Sequence, residues 1–251
     1  MKKKLRSLLI LLLALIAVGG IGYVIYYMTS LEKQEDVYEE TREAVKEEQP
    51  VQQEEEPETE IPIDFESLWG MNLDIYAWIE IPGTKVDYPI LQSATDDSYY
   101  LNHNIDGSEG YPGSIYTESY NGKTFEDFNT VIYGHNMKDD TMFGDLHKYE
   151  DSAFMKENSQ VIIYTPEKIL TYQIFAAVVY DDRHILKTYD FSGEGDRQEF
   201  LDSLNTLRDM RSNIDSSVEV GPQDRILTLS TCIGGEDHHR YLVEAVLIDE
   251  R

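Results

Sequence analysis

The distribution of apolar and polar residues divides this chain of 251 residues into three parts. The first part is an apolar run from Leu8 to Met28, which follows the basic segment Met1–Arg6. At about 1.5 Å per residue, a helix over this run is roughly 30 Å long, which is enough to cross a bilayer. Basic residues before a span favour a cytoplasmic amino terminus. We therefore assign residues 1–30 to a basic cytoplasmic tail and a single transmembrane signal-anchor.

A cleaved signal peptide is the alternative for this segment, because small residues occur between Ala14 and Gly22. However, no clear A-x-A cleavage site follows the apolar run, and the run is longer than an ordinary signal-peptide core. An uncleaved anchor is the better interpretation. It predicts a single-pass protein of the cell membrane whose remaining chain is extracellular.

The second part, residues 31–62, is rich in Glu, Gln, Lys and Pro and has few apolar residues. Such a composition cannot bury enough surface to offset the entropy of ordering, so we expect an acidic stalk or linker. The segment Glu32–Glu48 has the composition of a solvated helix. The acidic cluster Glu54–Glu56, followed by Pro57, predicts an extended and self-repelling linker.

The third part, residues 63–251, has the length of one domain and a pattern dominated by short β-strands. Eight short strands separated by turn signals favour a closed barrel or a sandwich. The predicted strands are Ala77–Ile81, Lys85–Leu91, Ser114–Thr117, Thr130–Tyr133, Gln160–Thr165, Ile169–Tyr180, Arg225–Cys232 and Tyr241–Ile248.

Helical patterns interrupt these strands. A short helix near Ser67 is predicted to pack Leu68, Trp69 and Leu73 on the barrel. Two short helical stretches follow at Phe143–Tyr149 and Ala153–Asn158. A longer helix is predicted over Asp196–Asn213, because apolar residues recur there at helical spacing and form a core-facing stripe. That stripe consists of Phe200, Leu201, Leu204, Leu207 and Met210.

The charge of the chain narrows the possible partners. Its formal net charge of -27 argues against nucleic acid, whose phosphate backbone requires a basic surface. The chain has one cysteine, so an exported domain would have no internal disulfide and would keep a free thiol. The thiol is therefore the first candidate for chemistry.

Three polar residues lie at the ends of predicted strands. Cys232 ends the apolar run that begins at Ile226, Arg240 begins the next strand, and His135 follows the strand that ends at Tyr133. These residue types suit a nucleophile, its proton partner and a donor that stabilises a developing anion. The alternative is that Cys232 is a small buried hydrophobe and His135 an ordinary structural histidine.

Other cysteine and metal sites fit the spacing less well. A metal site would need Cys232 with His238 and His239, but adjacent histidines point in different directions, and no C-x-x-C or H-x-x-x-H spacing occurs. A cysteine phosphatase loop has the spacing C-x5-R, whereas seven residues separate Cys232 from Arg240. A papain-like enzyme has its Cys at the head of a helix and its His downstream. We therefore expect neither a metal nor a cofactor.

Several segments resemble the sortases, the cysteine transpeptidases of Gram-positive cell surfaces. The segment Thr228–Cys232 resembles their signature around the cysteine, and the run Val131–Leu146 resembles the histidine region of class B sortases. The similarity also includes Trp78–Gln92, Tyr99–Leu101 and Gly113–Tyr116, in the same order along the chain. One departure is the loop Ile233–His239, which is shorter and more acidic than in some class B members.

The resemblance implies a mainly β fold, with a closed eight-stranded sortase-type barrel, an N-terminal helix and a long helix inserted before the penultimate strand. Residues 63–251 would then be the catalytic domain of a cysteine transpeptidase, a hydrolase or acyltransferase. Cys232 would be the nucleophile, His135 the general acid and base, and Arg240 the donor to the substrate carbonyl or oxyanion. Ser230 and Leu101 match positions that contact the peptide in class B relatives; the alternative for both is structural packing, and for Leu101 the core position is the preferred interpretation.

The partners also follow from the resemblance. The enzyme would cleave an LPxTG- or NPxTN-like sorting motif of a surface protein and transfer it to an amine of a peptidoglycan cross-bridge or a pilin. The alternative function is that of a catalytically inactive, membrane-tethered β-barrel that binds surface proteins.

Overall fold

The computed structural model describes residues 2–46, 60–207 and 209–251. The predicted linker cluster Glu54–Glu56 lies outside the described residues. The chain divides into two compact units, residues 1–40 and residues 41–251. Since the second unit includes residues before 63, it begins earlier than the predicted catalytic domain.

The first unit consists of most of helix α1, Lys2–Val45. Many of the apolar side chains described in this unit are exposed, for example Leu15, Ile16 and Val18. Among the described residues, α1 is the one helix that is long and apolar enough to cross a membrane. The predicted apolar span and the first part of the predicted stalk therefore both lie in helix α1.

The second unit is built on a closed barrel of eight strands, as predicted. Around the ring the order is β5-β1-β2-β3-β4-β8-β9-β6, and pairing between β5 and β6 closes it, while β7 pairs with β6 outside the ring. The strands are β1 (Ile75–Glu80), β2 (Asp87–Leu91), β3 (Ile115–Thr117), β4 (Asn129–Tyr133), β5 (Gln160–Tyr164), β6 (Ile169–Asp181), β7 (Asn213–Ile214), β8 (Ile226–Ile233) and β9 (Glu236–Glu250).

Short helices precede or connect the strands of the barrel. They are α2 (Phe65–Met71), α3 (Ser152–Glu157), α4 (Ile185–Thr188) and α5 (Glu194–Thr206), with 3₁₀ helices at Tyr99–Leu101 and Gly144–Glu150. Helix α2 is the predicted N-terminal helix, and the Asp64 carboxylate caps it by accepting from the Ser67 amide. Leu68 is fully buried, but Leu73 lies beyond the helix end and is 81% exposed, so its predicted packing is wrong.

Helix α5 precedes the penultimate strand, β8, as predicted, but it ends well before Asn213. Its stripe Phe200, Leu201 and Leu204 is buried, whereas Met210 is fully exposed. The predicted extension is wrong because the backbone becomes extended at Leu207 and Asn213 enters β7 instead. There the Asn213 side chain donates to the carbonyls of Tyr149 and Glu150 at 2.8 and 2.9 Å.

Strands β8 and β9 form a tight hairpin where a loop over Ile233–His239 was expected. β8 continues to Ile233, β9 begins at Glu236, and Gly234 and Gly235 make the turn. Gly235 has a φ of 80°, a conformation that glycine adopts without steric cost. Residues 236–239, directly before Arg240, therefore belong to a strand.

A buried polar cluster crosses the centre of three strands. Thr228 on β8 lies opposite Glu244 on β9, and its hydroxyl is 2.8 Å from a Glu244 carboxyl oxygen and 3.0 Å from the Asn129 side-chain oxygen. The single hydroxyl hydrogen of Thr228 cannot bond to both oxygens. A proton on the Glu244 carboxyl group lets Glu244 donate to Thr228, while Thr228 donates to Asn129. Burial raises the pKa of Glu244 to about 8, which agrees with a neutral carboxyl group.

Candidate active site

The barrel topology brings three strand ends to one rim. β4 and β8 are parallel neighbours, so their carboxyl ends lie on the same side of the barrel. β9 runs antiparallel to β8 and therefore begins near the point where β8 ends. His135 follows β4, Cys232 lies near the end of β8, and Arg240 lies in the first half of β9.

Cys232 is an exposed thiol at the end of an otherwise buried strand. Its register partner across the hairpin is Arg240, so the two side chains project from directly opposed positions. One terminal nitrogen of Arg240 donates to the carbonyls of Asp237 and His239 at 3.2 and 2.8 Å. These bonds hold the guanidinium against its own hairpin, next to the thiol-bearing strand.

His135 is held by a backbone carbonyl. Its Nε2 atom lies 2.6 Å from the carbonyl oxygen of Leu101. A carbonyl can only accept, so Nε2 carries a hydrogen and Nδ1 is the ring nitrogen left to exchange a proton. The ring of Tyr111 packs against the imidazole with centroids 4.9 Å apart.

One groove of about 410 Å³ contains all five residues singled out in the sequence: Leu101, His135, Ser230, Cys232 and Arg240. The stacked rings of Tyr116 and Tyr133 also line it, with centroids 5.4 Å apart. Burial raises the pKa of both phenols, and the charge of Glu118 raises it further. The groove thus offers neutral aromatic surface next to a thiol, an imidazole and a guanidinium.

Two acidic residues of the groove have side-chain partners. Glu118 and His184 meet there at 2.5 Å, and Arg183 binds Asp181 and lowers the pKa of that carboxyl group. A larger hollow, of about 700 Å³, lies beside α4 and α5 and contains none of the five residues. Volume alone therefore does not identify the reactive site.

Known proteins are similar to this chain in sequence and in fold. A sortase-domain family model matches residues 79–248. The chain is 37% identical to Sortase B of Listeria monocytogenes over 185 residues, which is 72% of each protein. It belongs to the class B sortases. A Staphylococcus aureus sortase B–substrate complex matches with 34% identity and a TM-score of 0.65, over 74% of this chain and 84% of that one. Bacillus anthracis sortase B matches with 28% identity and a TM-score of 0.69, over 87% and 97%.

Two residues that the sequence did not identify contact the backbone carbonyl of Cys232. Asn136 follows His135 directly, and its side-chain amide donates to the carbonyl of Cys232 at 2.9 Å. Nε2 of His147 lies 3.1 Å from the same carbonyl oxygen. Neither residue has a sequence signal that points to this contact, because each meets Cys232 only through tertiary packing.

Proposed function

We propose that this class B sortase is a cysteine transpeptidase in which Cys232 is the nucleophile, His135 the proton donor and acceptor, and Arg240 the donor to the substrate carbonyl. The observation that carries the proposal is the shared groove: an exposed thiol lies opposite an arginine, and a histidine with one fixed tautomer lines the same wall. These are the groups that acyl transfer through a thioester requires.

In the first half of the reaction, the Cys232 thiolate attacks the carbonyl carbon of the scissile peptide bond. Arg240 donates to the oxygen on which negative charge develops, and its fixed, permanently charged fork suits that oxygen better than a lysine would. The carbon–nitrogen bond then breaks, and Nδ1 of His135 gives its proton to the leaving amine. The products are a thioester on Cys232 and the released carboxyl-terminal fragment.

In the second half, an amine attacks the thioester and loses a proton to His135. The carbon–sulfur bond breaks, the thiolate of Cys232 is restored, and a new amide is formed. Tyr116 and Tyr133 supply aromatic surface for an extended peptide next to Cys232, and Ser230 and Leu101 line the same groove. The solved Staphylococcus aureus complex of sortase B with a substrate supports a peptide as the partner.

The substrate and location follow the same reasoning. The peptide is an LPxTG- or NPxTN-like sorting motif, and the acceptor is an amine of a peptidoglycan cross-bridge or a pilin. Helix α1 anchors the enzyme in the cell membrane, and the basic residues before its apolar run favour a cytoplasmic amino terminus. Residues 63–251 then act as the catalytic domain outside the cell.

A peptide panel tests this function. The full chain in detergent micelles is incubated with fluorogenic peptides that vary the sorting motif, with and without a primary amine. Cleavage of one motif class, with formation of the amide product when amine is present, is the expected result. Peptide binding without cleavage across the panel would contradict the transpeptidase and support a binding module instead.

A further inference from the structure

The carbonyl group of Cys232 lies where the β4–β8 ladder stops. In this ladder the Gly134 amide donates to the Ser230 carbonyl at 3.2 Å. The next β8 carbonyl on that side belongs to Cys232, two residues further along, because strand carbonyls alternate in direction. β4 has already ended at Tyr133, so no strand amide reaches this carbonyl. The side-chain amide of Asn136 takes that place at 2.9 Å.

His147 reinforces the contact from the 3₁₀ helix Gly144–Glu150. Its Nε2 atom is 3.0 Å from the Asn136 amide nitrogen and 3.1 Å from the Cys232 carbonyl oxygen. Its Nδ1 atom lies 2.9 Å from a Glu150 carboxyl oxygen. The ring also stacks on Tyr241, with centroids 4.9 Å apart. The imidazole is therefore fixed on one edge by a carboxylate and on one face by an aromatic ring.

Hydrogen counting assigns the donors in this triangle. A carboxylate accepts, so Nδ1 of His147 carries a hydrogen. In the neutral ring, Nε2 then has a lone pair, and the two amide hydrogens of Asn136 serve the Cys232 carbonyl and that lone pair. In the charged ring, Nε2 also donates to the carbonyl. Asn136 therefore donates to Cys232 in both states, and His147 either orients the amide or adds a second bond.

We propose that Asn136 and His147 are positioning residues for the nucleophile, which act through the backbone carbonyl of Cys232. The peptide bond after Cys232 is planar and trans, so fixing its oxygen on the β4 side turns the Ile233 N–H toward the β9 side, where Arg240 lies opposite Cys232. Asn136 and His147 thus fix the ψ torsion of Cys232. This inference rests on the proposed role of Cys232.

The contact itself is tested without turnover. Cys232 is the only cysteine, so labelling with 1-¹³C cysteine gives one backbone carbonyl signal from the full chain in detergent micelles. Loss of a hydrogen bond moves a carbonyl carbon resonance upfield. We expect this upfield shift in Asn136→Ala and a smaller one in His147→Ala. Asn158→Ala is the matched control, because it also removes an amide donor from a backbone carbonyl, that of Phe154, and should leave the Cys232 signal in place.

Kinetics then test the consequence. With a peptide that the parent cleaves, kcat should fall about tenfold in Asn136→Ala and about a hundredfold in Asn136→Ala/His147→Ala, with KM within about twofold, because a small misplacement of a reacting group is costly. His147→Gln should stay within about threefold of the parent, because glutamine still offers a donor and an acceptor. Tryptophan fluorescence, which includes the fully buried Trp78, verifies folding.

The outcomes separate this inference from the function. A Cys232 carbonyl signal that stays in place in Asn136→Ala would overturn the inference, whatever the activity. A shifted signal with an unchanged kcat, or an effect on KM alone, would also overturn it, because the contact would then not position the thiol. If Cys232→Ala retained parent activity, the proposed function would fail, while the labelled parent would still report on the contact.

Discussion

Glu244 offers a quantitative test of the barrel interior. It is fully buried between strands, and its folded pKa is raised from 4.5 to about 8 by burial. The folded state therefore favours the neutral carboxyl group, while the unfolded chain ionises near the ordinary value. The stability that this group contributes is fully present below the unfolded pKa and is lost as pH rises toward 8. The matched perturbation is Glu244→Gln, which keeps the size of the side chain but cannot ionise.

The expected magnitude follows from linkage. Each pH unit between the two pKa values changes the free energy of unfolding by about 1.4 kcal/mol. Between pH 5 and pH 7.5 the parent should thus lose roughly 3 kcal/mol from this group, and Glu244→Gln should lose none of it. We therefore expect the stability of the variant relative to the parent to rise by roughly 3 kcal/mol over that interval.

Urea unfolding followed by tryptophan fluorescence measures this difference, because both tryptophans, Trp69 and Trp78, lie in the second unit. Subtracting the parent at each pH removes the contribution of every other titrating group. Glu250→Gln is the control: it lies on the same strand, but its bond to Lys168 lowers its pKa, so both pH values lie above its folded and unfolded pKa and its relative stability should hardly change. An equal difference between Glu244→Gln and the parent at both pH values would refute the neutral buried carboxyl group.

Three further predictions concern the site and the anchor. Arg240→Lys should lower kcat/KM for the sorting peptide by about two orders of magnitude, with an almost unchanged Tm, because lysine cannot supply a fixed fork; parent activity would make the arginine structural only. His135→Ala should abolish turnover at saturating peptide, and a change in KM alone would contradict the proton-transfer role. Deletion of residues 1 to about 30 should leave a soluble, monomeric and active protein in size-exclusion and peptide assays, and an insoluble product would mean that the boundary is misplaced.

The parts of the fold that depend on local pattern were predictable. Runs of β-branched residues bounded by glycine and proline placed the strands of the barrel, and β4 and β8 were found within one residue of the predicted ends. The Cys232 hairpin was less predictable, because strand pairing from Glu236 onward stabilises residues that look like a polar loop. Met210 followed the helical spacing, but the backbone had already left the helix at Leu207.

Contacts between distant residues could not be predicted in the same way. Cys232, His135 and Arg240 were identifiable because each ends or begins a strand and has a chemically distinctive side chain. The bond from Asn136 joins residues 96 positions apart, and that from His147 joins residues 85 apart. Glu244 looks like the polar position of an alternating strand, and only barrel closure places it inside. Tertiary packing therefore determines the contacts of Asn136, His147 and Glu244.

Trapping of the thioester tests the central claim most directly. The full chain in detergent micelles is mixed with the best sorting peptide in the absence of amine, quenched in acid and analysed as an intact protein by mass spectrometry. We predict an adduct with the mass of the amino-terminal peptide fragment, located on Cys232, released by hydroxylamine and absent from Cys232→Ala. Cleavage of the peptide by Cys232→Ala at the parent rate would contradict the account.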